Sequence, residues 1–425
     1  MPRFDTVQVY ADIERFTEPA LMGDLRAQQS GTGEIFSFAY DETWLTRAEA
    51  FAFDPDLALV AGHQYPVADR ANFGIFLDSS PDRWGRVLMQ RRENSLARRE
   101  NRRPRTLTEW DFLLGVHDET RLGALRFRNP GGAFIDSDTQ LAAPPITLLR
   151  ELQAASLQFE QHINEEDHPE YEKWLTQLFA PGTSLGGARP KASVRDEGGS
   201  LCMAKFPSRQ DTRDVGGWEL VANRLAMKAG ITVPDARPLR LQGSPYTTFL
   251  VKRFDRTADG GRLAYVSAMT LTQHKDGETG ASYLELVDLL QSGGSDMEAD
   301  CEQLFRRVLF NILIHNTDDH LRNHGFLIGE RGIRLSPAFD INPSIDRSEL
   351  SLAINEVETS CDVAIAMEAH RDYGLSDRQA EQVLRQVQAA IPEWREEAKK
   401  MGIAKAEQDL MARAFTSPAV ARNKA

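Results

Sequence analysis

The sequence predicts an α+β fold in three parts: a small β-rich N-terminal subdomain, a β-rich lobe and a helical lobe. Three observations carry this. Short alternating segments at 7–10 and 35–39 have strand character near the start. From 182 to about 256 a glycine-rich turn, strands and one helix follow one another. From about 281 onward the pattern is mostly helical, broken by one short hairpin near 325–338.

The chain has 425 residues, enough for two or three domains. Apolar residues make up 41% and charged residues 27%, which excludes a wholly disordered chain. No apolar run approaches the ~20 residues of a membrane span, and the first residues do not read as a secretory signal. Three widely spaced cysteines, Cys202, Cys301 and Cys361, suit a reducing compartment, so a cytoplasmic protein is expected. The net charge of −13 disfavours nucleic acid except through a local patch. One patch exists. Residues 83–105 hold nine arginines against two glutamates, so this stretch carries +7 and the remainder −20. It reads as a helix ended by Pro104, its arginines paired with acidic neighbours or offered to a partner or DNA.

The first domain is placed at 1–130, with a further strand pair near 122–130. Residues 131–146, rich in Pro, Gly and small side chains, read as a linker. A helical stretch at about 147–180 carries Leu148, Leu149, Leu152, Leu157 and Phe159. Residues 147–260 form the β-rich lobe and 261–425 the helical lobe. Polar motifs gather near the join, which suggests a ligand in an interlobe cleft.

The region 306–344 carries the strongest chemical signal. Leu304, Phe305, Val308, Leu309, Ile312 and Leu313 follow the i, i+3, i+4 rule of a buried helix. The polar run NTDDHLRN (316–323) succeeds it. A hairpin then turns at GERG (329–332) and delivers AFDIN, with Asp340 on the loop beyond. Asn323 and Asp340 offer the hard oxygen ligands that Mg²⁺ prefers, the rest of its shell coming from phosphate and water. Asp318 then remains to accept a proton from a hydroxyl nucleophile. This spacing is that of a protein kinase catalytic centre. A competing reading takes His315, Asp318, Asp319 and His320 as a metallohydrolase site, though their spacing matches no zincin motif.

Upstream, TSLGGARPKASV (183–194) is a Gly-Gly turn entering a strand, where backbone N–H groups can approach phosphate. A hairpin around DEGG (196–199) follows. Its second strand carries Lys205 among apolar residues, where a lysine is costly unless paired. Glu219, in the opening turn of the helix GGWELVANRLAMKAGI (216–231), is a candidate partner, or a carboxylate stabilised by the helix N-terminus. The strand YTTFLVKRFDR (246–256) would place Lys252, Arg253 and Phe254 to read an adenine edge.

In order, SLGGARPK, AKFPS, VPDA, VKRFDR, NTDDHLRN and AFDINPS resemble the HipA toxin family of bacterial serine/threonine protein kinases. FAYDETWL (38–45), SSPDRWGR (79–86) and LLGVHDETRLGALRF (113–127) resemble that family's N-terminal part, so the likeness covers nearly the whole chain. The resemblance implies a bilobal protein-kinase-like fold and ATP- and Mg²⁺-dependent transfer to protein. By residue, it implies that Asp318 is the catalytic base, that Asn323 and Asp340 are the metal ligands and that Lys205 is the nucleotide lysine. It further implies a phosphate loop of Gly186, Gly187, Ala188, Arg189, Pro190 and Lys191, and a hinge of Lys252, Arg253 and Phe254. His320, Leu321, Arg322 and Phe339 would complete the ATP site. Ser184 would be autophosphorylated, with Thr183 as its neighbouring alternative. A phosphate there adds about −1.5 to −2 charge beside the ATP phosphates. The partners implied are a HipB-like helix-turn-helix antitoxin, operator DNA through that complex, and a translation protein as substrate, in known members an aminoacyl-tRNA synthetase. Phosphorylating it would arrest growth. The base stands in Asn-Thr-Asp and the metal motif is Asp-Ile-Asn, both unlike eukaryotic kinases. Two other readings remain: a catalytically silent co-repressor bound to antitoxin, and a metal-dependent phosphohydrolase.

Overall fold

The computed structural model describes residues 4–31, 33–67, 69–137, 143–182, 187–241 and 243–415. These fall into two compact units, Met1–Gln210 with Asp255–Val266, and Asp211–Phe254 with Ser267–Ala425.

The first unit opens with an antiparallel sheet of β1 (Phe4–Ala11), β2 (Ala20–Ser30), β3 (Gly33–Tyr40), β4 (His63–Gln64) and β5 (Leu125–Arg128), in the order β4-β3-β2-β1-β5. Alternation puts Val7, Val9, Leu25, Ala27, Phe36 and Phe38 on the buried side. The strands at 7–10 and 35–39 expected from the pattern lie inside β1 and β3. β2 is eleven residues long, but its alternation is confined to Asp24–Gln28, with Gly23 before it and Gln-Ser after.

The longer helices of this unit are α1 (Arg83–Arg99), α2 (Glu109–Leu114), α3 (Leu149–Gln161) and α4 (Tyr171–Gly182). Trp84 and Leu88 of α1 pack with Ala155 and Phe159 of α3 and with Tyr171, Trp174, Leu175 and Leu178 of α4. Five of the arginines in 83–105 meet carboxylates, while Arg92 lies over the Phe179 ring of α4. Arg86 makes two hydrogen bonds to Glu109, at 2.6 and 2.7 Å. Arg105 grips Asp111 at 2.6 and 2.7 Å. Arg91 and Arg98 share Glu166, and Arg102 pairs with Glu93. Of the two readings of this helix, acidic pairing is the one seen for these five arginines.

The proline- and glycine-rich stretch after β5 folds back where it is described. Ile135 N donates to Phe127 O at 2.8 Å, and Arg195 N reaches Pro144 O at 2.9 Å. Strand edges need partners, and these segments supply them. The unit ends on the hairpin of β6 (Lys191–Arg195) and β7 (Leu201–Lys205). Asp196 closes its turn by accepting from the N–H groups of Gly198 and Ser200.

The second unit contains α5 (Val215–Lys228), the antiparallel pair β8 (Ala236–Leu239) and β9 (Thr248–Lys252), and helices α6 (Tyr283–Gly293) and α7 (Met297–Ile314). The hairpin β10 (Gly325–Gly329) and β11 (Gly332–Leu335) follows, then α8 (Asp377–Ala390) and α9 (Trp394–Lys400). All six apolar positions expected on the buried face of α7 are fully enclosed. Trp394 stacks on Phe415 at 4.7 Å, with Trp218 beside both. Among the described residues no helix is long and apolar enough to cross a membrane. The three cysteines are unbridged.

Candidate active site

Helix α7 ends because His315 adopts a left-handed conformation, φ 52°. Asn316 then turns back onto the helix, its N–H on Asn311 O at 2.9 Å and its amide on Asn311 Oδ1 at 3.1 Å. Successive residues beyond this turn face opposite ways. Asp318 is exposed, while Asp319 is 3% exposed. The buried carboxylate accepts from Tyr283 Oη at 2.6 Å and Asn311 Nδ2 at 2.8 Å, and His324 Nε2 lies 2.8 Å from it. Burial alone would raise the Asp319 pKa. The His324 imidazole and the hydrogen bonds from His324 and Tyr283 outweigh it and hold the carboxyl below its ordinary value. Burial and the facing Asp319 push the Tyr283 phenol far upward.

The hairpin β10–β11 returns the chain as expected. Asn342 N donates to Asn316 Oδ1 at 3.3 Å and Ser344 N to His315 O at 3.0 Å, so the loop bearing Asp340 is stitched to the loop bearing Asp318. Asp340 stands at φ 57°, a left-handed position uncommon for a residue with a side chain. Asn323 Nδ2 donates to the Asp318 carbonyl at 3.2 Å, which leaves Asn323 Oδ1 as the end open to a cation. Asn342 Nδ2 donates to Asp340 Oδ1 at 3.1 Å, and Asn342 Oδ1 is buried without a hydrogen-bond partner. The donor chemistry of Asn323, Asp340 and Asn342 fits a hard, partly hydrated cation such as Mg²⁺. Asn342 is absent from the set expected from sequence. Its place in Asp-Ile-Asn is the signal that could have found it.

Other expected residues of this unit lie around these loops. Phe254 stacks on Phe339, centroids 5.3 Å apart at 28°, which joins the expected hinge to the residue before Asp340. Lys252 N donates to Asp235 O at 2.8 Å, and Arg253 is buried. Leu321 is buried, and His320 Nδ1 is buried without a hydrogen-bond partner. Arg322 is exposed, 3.6 Å from Asp276. α5 begins four residues before Glu219, capped by Asp214, whose Oδ1 accepts from Gly217 N at 3.0 Å and Thr247 N at 2.8 Å. Glu219 is buried one turn further in, beyond the reach of the terminal N–H groups. His315, Asp318, Asp319 and His320 form no metal cluster. His315 Nδ1 lies 3.0 Å from Ala414 O, and Asp319 faces inward. Among the described residues no group of three or more His, Cys, Asp or Glu could hold a metal.

In the first unit, Lys191 and Lys205 stand directly opposite each other on β6 and β7, both buried. Lys191 Nζ donates to Asp82 Oδ2 at 3.1 Å and to Gly187 O at 2.9 Å. Gly187, at φ 103°, and Ala188 are exposed, Arg189 is half-buried and Pro190 is buried. Thr183, Ser184 and Gly186 lie outside the described residues. A separate cavity of about 230 Å³ lies between α1 and α4, lined by Arg92, Arg99, His117, Glu172 and Phe179 among others. None of the described candidate residues lines it.

The α+β architecture is shared with a HipA toxin. The HipA–HipB–operator DNA complex of Shewanella oneidensis MR-1 contains a chain that superposes with TM-score 0.64 at 19% identity, covering 98% of this chain and 96% of that one. Residues 183–395 match the HipA-like C-terminal domain family, and the chain belongs to that family. The curated protein "Putative kinase Y4mE" of Sinorhizobium fredii is 23% identical over 159 residues. That match spans 35% of this chain and 36% of the relative. The Helicobacter pylori proinflammatory kinase CtkA superposes at TM-score 0.38 and 15% identity, covering 57% of this chain and 96% of that one.

Proposed function

We propose that the chain is an ATP- and Mg²⁺-dependent serine/threonine protein kinase acting in the cytoplasm as the toxin of a toxin–antitoxin pair. One observation carries the reading. A buried, fully bonded Asp319 and the stitched loops at 315–316 and 342–344 present an exposed Asp318 with Asn323 and Asp340 on one pair of loops. A surface loop of capping residues would need no such internal support.

In this reading Asp318 accepts the proton of the attacking hydroxyl, and Asn323 and Asp340 hold Mg²⁺, with Asn342 next to Asp340. When bound, the ion would neutralise charge on the transferring phosphoryl group. Lys205 binds nucleotide phosphate, the backbone N–H groups of 187–189 cradle it, and residues 252–254 read the base. His320, with an unsatisfied buried nitrogen, and Arg322 lie on the nucleotide side of the loop. The chain phosphorylates itself at Ser184, which would oppose ATP binding by repulsion. A HipB-like antitoxin, with operator DNA through it, is the partner, and a translation protein, an aminoacyl-tRNA synthetase, is the substrate. The family membership and the HipA fold support these assignments.

Labelled γ-phosphate of ATP tests the reading. Label on Ser184 or on a host protein, absent with Asp318→Ala, is the expected result. Free phosphate alone would mean a phosphohydrolase, and no turnover with bound nucleotide would mean a silent co-repressor.

A further inference from the structure

The phosphate turn is anchored from an unexpected direction. Lys191 stands in the part of the chain expected to touch ATP, yet its ammonium is turned away from solvent, with a side chain only 2% exposed. It is held by Asp82 Oδ2 at 3.1 Å and by Gly187 O at 2.9 Å. Asp82 belongs to the N-terminal subdomain. Its other oxygen, Oδ1, accepts from Gly85 N at 3.4 Å and so caps α1, while its side chain is 8% exposed. One carboxylate thus joins the start of α1 to the turn before β6.

This has a geometric consequence. In a trans peptide the C=O and N–H point in opposite directions. A Gly187 carbonyl bound to Lys191 therefore sends the Ala188 N–H away from the buried pair, toward the exposed side of the turn. Gly187 reaches this orientation at φ 103°, which favours glycine. The pair also matters for β7. Lys205 sits directly across from Lys191, and like charges at opposed positions are destabilising. Asp82 offsets one of the two.

We propose that Asp82 is a positioning residue of the nucleotide site: by holding Lys191 it fixes the Gly187–Ala188 peptide so that the Ala188 N–H is presented to nucleotide phosphate. The N-terminal subdomain is then part of the ATP site, and Lys191 acts on the turn rather than on phosphate. This rests on the kinase reading above.

The test uses the full-length protein and a fluorescent ATP analogue with Mg²⁺, together with steady-state kinetics. Asp82→Asn should weaken nucleotide binding and raise the KM for ATP about tenfold, with kcat at saturating ATP changed by less than about threefold. Asp82→Glu should recover part of the affinity. Asp82→Asn combined with Lys191→Met should bind no more weakly than the poorer single variant, because both act through one link. If Asp82→Asn loses its fold through the unpaired lysine, the double variant, with no buried charge left alone, decides instead. Weakened nucleotide binding in it supports the proposal. A folded variant with reduced thermal stability but wild-type affinity and KM would overturn it and leave the kinase reading intact. Failure of the wild type itself to bind the analogue would overturn both.

Discussion

Two buried carboxylates, one in each unit, back exposed loops and are held in opposite ways. Asp319 supports the loop of Asp318 and has three polar neighbours within 2.8 Å. Asp82 supports the turn at Gly187 through Lys191 and meets the backbone N–H groups of Trp84 and Gly85 at the start of α1. Both are desolvated. The partners of Asp319 overcome that cost and hold its pKa below the ordinary value. For Asp82 burial exceeds the pull of Lys191, so its pKa is raised. Donors and charges that favour the ionised form decide how firmly a buried charge is kept. Asp319 therefore keeps its charge more firmly than Asp82 does.

Substitutions at each end test that contrast. The largest effect belongs to the exposed group itself. Asp318→Ala should lower kcat by about 10²–10⁴-fold, the range for a general base, while ATP still binds. A variant with normal turnover would remove the role of Asp318. Next is the support behind it. Asp319→Ala leaves Tyr283, Asn311 and His324 without their shared acceptor and should cost about 3–5 kcal/mol in urea unfolding. A loss below about 1 kcal/mol would mean the network is not the anchor. On the other side, Gly187→Ala forces a side chain into a left-handed position, about 1–2 kcal/mol of strain, and places a Cβ 3.0 Å from Lys191 Nζ. Nucleotide affinity should fall roughly tenfold with kcat little changed.

Acid stability separates the two carboxylates directly. Asp319, with its lowered pKa, stabilises the fold above the unfolded carboxyl value of 3.8 and loses that contribution as pH falls through its folded pKa. Asp82, with its raised pKa, binds an extra proton in the folded state above 3.8. Its contribution therefore declines as pH rises toward its folded value. Urea midpoints between pH ~3 and ~7 should rise less steeply in Asp319→Asn and more steeply in Asp82→Asn. The same slope in both would erase the distinction. The smallest effect is a control. Arg98→Ala, at a half-exposed pair with Glu166, should change stability by less than about 1 kcal/mol.

Much of the site was legible because its logic is local. The apolar rhythm of 304–313 foretold a buried helix, GERG marked a hairpin, and the turn placed Asp340 beyond it. The start of α5 is legible to within one residue, but its cap is not, because the Asp214 carboxylate is also held by Thr247, thirty-three residues away. In β2 the apolar alternation is short, Leu25 and Ala27 between Asp24, Arg26 and Gln28 on the wet face, and Gly23 interrupts it. The arginines of 83–105 could not be assigned to a partner surface or to internal pairing, because Glu166, Glu109 and Asp111 reach them only in the folded chain.

By itself the sequence determined the order of strands and helices around the site and which side chains bear oxygen or charge there, because hydrophobic period and turn chemistry act over a few residues. Only the tertiary structure decided which of two adjacent aspartates faces outward and that a carboxylate at position 82 answers a lysine at 191. Those choices depend on burial and on donors brought from distant parts of the chain, and no local pattern encodes them.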